Sequence, residues 1–232
     1  MKVIPILFLV LTLSSCASLF QRKEPEPPKF TVNLSSRQVE LGMAEMQRDR
    51  NFPSSGLTKV EITVIYFPEE DALCLRYRSD FFTYNQFWHA NGRDLFLRSL
   101  NRYMDEYERR SLVDSNSRAS RTRYGNTEGY LTWQEYSFTR RFSGNMAVDI
   151  GYAFRERSPY FTVTQRQTSN TGPDRGGSST GGSTNSQEIA MYFTRAQAQE
   201  LAAFFDEEVL REHAVTRPER RVVPGEVEFD VW

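Results

Sequence analysis

Apolar residues recurring at a two-residue period restrict this chain more than any other feature. From Met146 to Phe154, the large residues Met146, Val148, Ile150, Tyr152 and Phe154 share one face. Ala147, Asp149, Gly151 and Ala153 share the other. Successive side chains of a strand point to opposite faces, so this segment reads as half-buried sheet. The same period runs through Val60, Ile62, Val64 and Tyr66. After the turn Pro68-Glu69-Glu70-Asp71 it resumes at Leu73, Leu75 and Tyr77, which predicts a β-hairpin. Further strands are expected at 30–34, 130–138, 160–168 and 187–193, several joined by links short enough for antiparallel hairpins.

Three stretches carry helical spacing instead. Ser35 or Ser36 can cap a helix that sets Val39, Met43 and Met46 on one face. The longest stripe runs through Tyr84, Phe87, Trp88, Leu95, Phe96, Leu100, Tyr103, Met104 and Tyr107, with Thr83 and Gln86 at capping-box spacing and Gly92 interrupting it. The last follows Thr194 and Gln197 and buries Leu201, Phe204, Phe205 and Val209. The expected fold class is α+β: an antiparallel β-sheet of about five to seven strands, one face covered by two main helices near 84–110 and 195–212. In element order, 130–213 resembles a repeat of the PUR-alpha/whirly type, which would imply nucleic-acid binding on the sheet. The charge balance of 29 Lys+Arg against 30 Asp+Glu gives no such footprint, and no nucleic-acid partner is expected.

The N-terminus says where the domain is held. One lysine, Lys2, precedes an apolar run from Val3 to Leu13, followed by Ser14, Ser15 and Cys16. The run is too short to span a bilayer and reads as a secretory leader. Leu13-Ser14-Ser15-Cys16 resembles the lipobox of bacterial lipoproteins, in the relaxed form with Ser before the cysteine that is spirochaete-like. The resemblance implies cleavage before Cys16, acylation of Cys16 and a membrane partner through that lipid. Ala17-Ser18 after it implies sorting to the outer membrane. The expected organisation is a signal peptide at 1–15, acylated Cys16 with a Pro-rich tether at 16–29, a single domain at 30–213 with a flexible Gly/Ser loop at 169–186, and a polar tail at 214–232.

Chemistry-bearing motifs are sparse. His89 and His213 are the two histidines and neither stands in a metal-ligand spacing, so no metal, cofactor or catalytic residue is expected. Trp88, His89, Asn91, Arg93 and Asp94 are candidates for a small polar site, and the same octet also reads as the first turns of a packed helix. Arg118, Arg121 and Arg123 are candidates for anion binding in a polar loop. Cys74, in an apolar strand, is expected to be a small buried hydrophobe. The expected function is a non-enzymatic, membrane-anchored envelope lipoprotein that serves as a structural or protein-interaction module. The alternative is a lipoprotein holding a small ligand or lipid in an aromatic-lined groove between sheet and helix.

Overall fold

The structure, a computed structural model, describes residues 31–49, 56–114, 122–136, 141–155, 157–172 and 185–215. Cys16, the leader, the tether to residue 29, Arg118, Arg121 and the tail beyond 215 lie outside these residues. Eight strands form a closed antiparallel barrel in sequence order. They are β1 (Val39–Asp49), β2 (Leu57–Phe67), β3 (Ala72–Ser79), β4 (Phe82–Trp88), β5 (Arg123–Glu135), β6 (Arg141–Arg155), β7 (Ser158–Gln165) and β8 (Ile189–Phe193). Helix α1 (Ala90–Glu108) follows β4; α2 (Arg195–Ala203) and α3 (Glu207–Val215) follow β8. Four strands and a helix therefore occur twice.

The barrel corrects the expected five-to-seven-stranded sheet with helices laid on one face. Two expected helical starts are strands. Val39–Asp49 alternates, with Met46 fully buried and Met43 56% exposed, so these two methionines lie on opposite faces. The stripe from Tyr84 to Trp88 is β4, paired to β3 from Leu73↔Trp88 to Ser79↔Phe82, and the helix begins only at Ala90. The Thr83 capping box does not form. The one at Thr194 does: its side chain accepts from the Gln197 amide while the Gln197 side chain accepts from the Thr194 amide. The hairpin read at 60–77 is present, with Ile62↔Tyr77 and Val64↔Leu75 in register.

An eight-stranded barrel has room inside for side chains and little else. The interior is filled by Met46, Ile62, Val64, Leu75, Tyr77, Tyr84, Trp88, Leu131, Trp133, Met146, Val148, Ile150, Phe161, Val163, Met191 and Phe193. The helices close one end. Phe96 of α1 stacks on Phe205 at 4.4 Å and meets Phe161 edge-on at 5.3 Å, and Trp88 meets Phe205 edge-on at 5.7 Å. Polar groups inside are paired with one another. The Tyr77 hydroxyl donates to Gln165 Oε1 at 2.7 Å, Gln86 Nε2 reaches the same oxygen at 3.3 Å, and Trp88 Nε1 donates to Gln86 Oε1 at 3.0 Å.

Closure is thin. β1 meets β8 at two positions only, Gln47↔Tyr192 and Arg48↔Met191. A register shift between Glu40 and Gly42 turns the first half of β1 away, and the Phe204 ring lies against Gly42. A Cβ there would stand 3.0 Å from that ring on a backbone at φ +150°, where side chains are strained. A smaller cluster of Val32, Ile65, Phe67, Ala72, Cys74 and Phe87 packs on the outside of β2–β4. It buries Cys74 fully, as expected, and burial pushes its thiol up to about 12. The ends of the expected Gly/Ser loop are tied down: Thr168 and Ser186 are buried and exchange hydrogen bonds of 2.8 and 2.9 Å, and the Thr171 amide donates to the Ser143 carbonyl at 2.7 Å.

Candidate functional site

The barrel separates the predicted polar octet. Trp88 lies in the core. Asn91 and Asp94 are exposed on the outer side of α1. Arg93 is fully buried beneath the β2–β3 turn and joins three elements. Its Nη1 donates to the Asp71 carbonyl at 2.8 Å, and its Nη2 donates to the Asp71 carboxylate at 2.9 Å and to Glu207 of α3 at 2.8 Å. Asp71 reaches it because φ of +44° closes the hairpin turn back over α1. The Tyr66 hydroxyl also donates to Asp71, at 3.2 Å, and burial, with Asp71 beside it, raises its phenol to about 12. This cluster is a clamp: both terminal nitrogens of Arg93 are bonded to other elements of the same domain, while its buried Nε has no partner among the described residues.

His89 sits at the start of α1 without capping it through its side chain. Burial lowers its pKa from the ordinary 6.5, against the pull of Asp71 and aided by Arg93. The folded state thus favours the neutral ring, and stability is lost as pH falls through the unfolded value. His89→Asn is expected to flatten the fall in stability between about pH 7 and pH 5 and to supply the missing cap. Urea unfolding at both pH values checks this; an unchanged slope would remove His89 as its cause.

The built concavity lies elsewhere, on the outer wall of β6, β7 and β8. It is a cleft of about 390 Å³ lined by Thr122, Arg123, Asp149 to Ala153, Thr162, Thr164, Arg166, Ala190 and Tyr192. Its floor is made of small residues and one tyrosine brought level by register: Asp149↔Thr164↔Ala190 in one row and Gly151↔Thr162↔Tyr192 in the next. Gly151 is required there, since a Cβ would stand 2.2 Å from the Thr122 carbonyl oxygen. The walls are ion pairs. Asp149 accepts from Arg166 at 2.8 Å and pairs with Arg123 at 3.3 Å, and Arg166 pairs with Glu188 at 3.0 Å. Across the floor, Arg155 donates to Asp49 at 2.6 Å and contacts the Tyr192 hydroxyl, which itself donates to Asp49 at 3.0 Å.

Arg123, of the three predicted anion-binding arginines, is therefore in this cleft, on β5 rather than in a loop, and already shares a carboxylate with Arg166. Arg123, Arg166 and Asp149 line the cleft, and with the bonded neighbours Glu188, Arg155 and Asp49 the charges around it balance, so it is not an anion trap. Sequence reasoning isolated half of the floor, the small face of Ala147, Asp149, Gly151 and Ala153. It missed Thr162, Thr164, Ala190 and Tyr192, which join that face through strand pairing. The groove between sheet and helix is occupied by Trp88, Phe96, Tyr103, Phe161 and Phe205, all in the core.

Among the described residues, no group of three or more His, Cys, Asp or Glu is placed to hold a metal ion, and no helix is long and apolar enough to cross a membrane. The molecule is a solid-cored, eight-stranded antiparallel barrel with helices over one end and a charge-walled cleft outside. Residues 34–212 match the family described as Uncharacterised Treponema protein, and the chain belongs to that family. No curated protein and no solved structure matches it.

Proposed function

We propose that this chain is a lipid-anchored, non-enzymatic protein of the cell envelope that holds a segment of a partner protein in the cleft on the β6–β8 wall. The cleft carries the reading. Its floor of glycine, alanine and threonine lets a partner backbone approach closely, and its alternating ion pairs can exchange partners with polar side chains. Its charged groups are spent on one another, which suits recognition better than acid–base work. The filled interior leaves the outer wall as the binding surface. Membership of a Treponema family accords with the spirochaete-like form of Leu13-Ser14-Ser15-Cys16, and Ala17-Ser18 favours the outer membrane.

Two experiments test the two halves. Cys16→Ser is expected to abolish acyl labelling and membrane partitioning in cells; a mutant that still carries label at full level overturns the anchor. For the cleft, Thr162→Trp is expected to fill the floor without touching the core. In crosslinking from intact cells through a photoreactive residue at Glu188, it is expected to remove the specific adduct seen with the parent chain. An adduct that persists unchanged overturns the cleft as the partner site.

A further inference from the structure

The opposite wall of the barrel has a different chemistry. In an eight-stranded barrel, β4 lies across from β8, and the outer face of β3–β4–β5 carries a second, larger cleft of about 520 Å³. Arg76 and Arg141 line it, and Arg78 borders it, stacked over the Tyr136 ring at 5.2 Å. All three are exposed. Arg76 donates to Asn85 at 2.8 Å and Arg141 to Gln134 at 3.1 Å, both neutral. Among the described residues, none of the three has a carboxylate in salt-bridge reach, and Glu135, the one carboxylate in the lining, pairs with none of them. On the other wall Arg123, Arg155 and Arg166 are each paired with a carboxylate.

Exposed apolar side chains gather on the same wall. Five large hydrophobic residues are exposed among those described, and three of them are here: Phe81 at 74%, Tyr136 at 47% and Leu34 at 38%. Phe81 tops the β3–β4 hairpin, and its carbonyl accepts from the Tyr136 amide at 2.9 Å, so the two rings project from neighbouring positions. The chain also enters the domain on this wall. Val32 packs into the outer cluster with Phe67, Cys74 and Phe87, while Leu34 and Gln38 line the cleft itself.

We infer that the β3–β4–β5 wall is the membrane-facing side of the anchored barrel: Arg76, Arg78 and Arg141 engage the phosphates of anionic lipids, and Phe81 and Tyr136 enter the headgroup layer. This rests on the anchored reading above. A tether leaving from Val32 brings this wall, rather than the β6–β8 wall, toward the bilayer. Unpaired guanidiniums are drawn to an anionic lipid surface, and exposed aromatic rings favour the interface. The cleft proposed for the partner then faces away from the membrane, where a protein can reach it.

The test uses the full acylated chain in vesicles of phosphatidylcholine and phosphatidylglycerol. Phe81→Cys, or Met43→Cys on β1 as the control, carries a maleimide fluorophore, and buried Cys74 does not compete for it. Quenching by iodide in the water is expected to be about threefold weaker at the Phe81 site than at the Met43 site. Quenching by a headgroup nitroxide is expected to be correspondingly stronger. The difference is expected to vanish in pure phosphatidylcholine, and in the Arg76→Gln/Arg78→Gln/Arg141→Gln variant. Equal quenching at the two sites of an acylated, vesicle-bound chain overturns the inference and leaves the anchor standing. A chain without acyl label on Cys16 that does not bind vesicles overturns both.

Discussion

Replacing Asp71 and Glu207 together by alanine is expected to destabilise the barrel by about 3–5 kcal/mol, more than removing the arginine that they hold. Arg93 is fully buried, whereas the side chains of Asp71 and Glu207 are 56% and 41% exposed. The asymmetry decides the outcome. Without its carboxylates, the guanidinium stays in the protein with only the Asp71 carbonyl to accept from it, and a buried unpaired charge is the costly state. Without the guanidinium, as in Arg93→Met, the two carboxylates return to water and the methionine fills most of the space. That variant is expected to lose only about 1–2 kcal/mol, from the hydrogen bonds and residual cavity. For a domain of this size the double variant should melt roughly 10 °C below the parent, by about the conversion of 2–4 °C per kcal/mol. Calorimetry of the three proteins checks the order. Arg93→Met melting below the double variant would show that the clamp acts through packing rather than charge.

That clamp was half legible in the sequence. The turn at 68–71 and the unusual octet around His89 both stood out, but nothing local says that one closes on the other. Glu207 comes from more than a hundred residues further on. β4 was misread for a related reason. Gln86 lies on the core face between Tyr84 and Trp88, and Phe87 is buried on the opposite face in the outer cluster. A strand buried on both faces, with a polar residue among the core positions, loses its alternation and leaves aromatic residues at chance helical spacing. In β1 the register shift between Glu40 and Gly42 breaks the two-residue period, so Val39 and Met46 fall on one face of the sheet at a spacing that also suits a helix. Barrel closure rests on two residue pairs between β1 and β8, separated by most of the chain, and no local period reports it. β2, β3 and β6 were read correctly because their core positions keep a two-residue period, even though Ile65, Phe67, Ala72 and Cys74 of β2 and β3 are buried on the outer face as well. The cleft floor was visible only on β6 because β7 and β8 contribute their share through register.

Gln165→Leu is expected to cost about 3 kcal/mol although it makes the core more apolar. Gln165 is fully buried at the end of β7, where its Oε1 serves both Tyr77 and Gln86 and its Nε2 donates to the Gln187 carbonyl at 3.2 Å. Leucine matches the volume and satisfies none of the three. The Tyr77 hydroxyl cannot ionise to escape, because burial holds its pKa well above the usual value, nor can it reach water. The penalty therefore comes from stranded donors and not from a cavity, and a second substitution separates the two. Tyr77→Phe on its own breaks the same hydrogen bond. Added to Gln165→Leu it removes a group that is already unsatisfied, so the pair should cost less than the sum of the single changes, by about 1–2 kcal/mol. Denaturant unfolding of the two single variants and the double variant closes the cycle. Strict additivity would mean that the chain from Trp88 through Gln86 and Gln165 to Tyr77 is a set of independent contacts; the predicted coupling would make it the polar pin that fixes the register of β3, β4 and β7 across a core otherwise built of interchangeable apolar side chains.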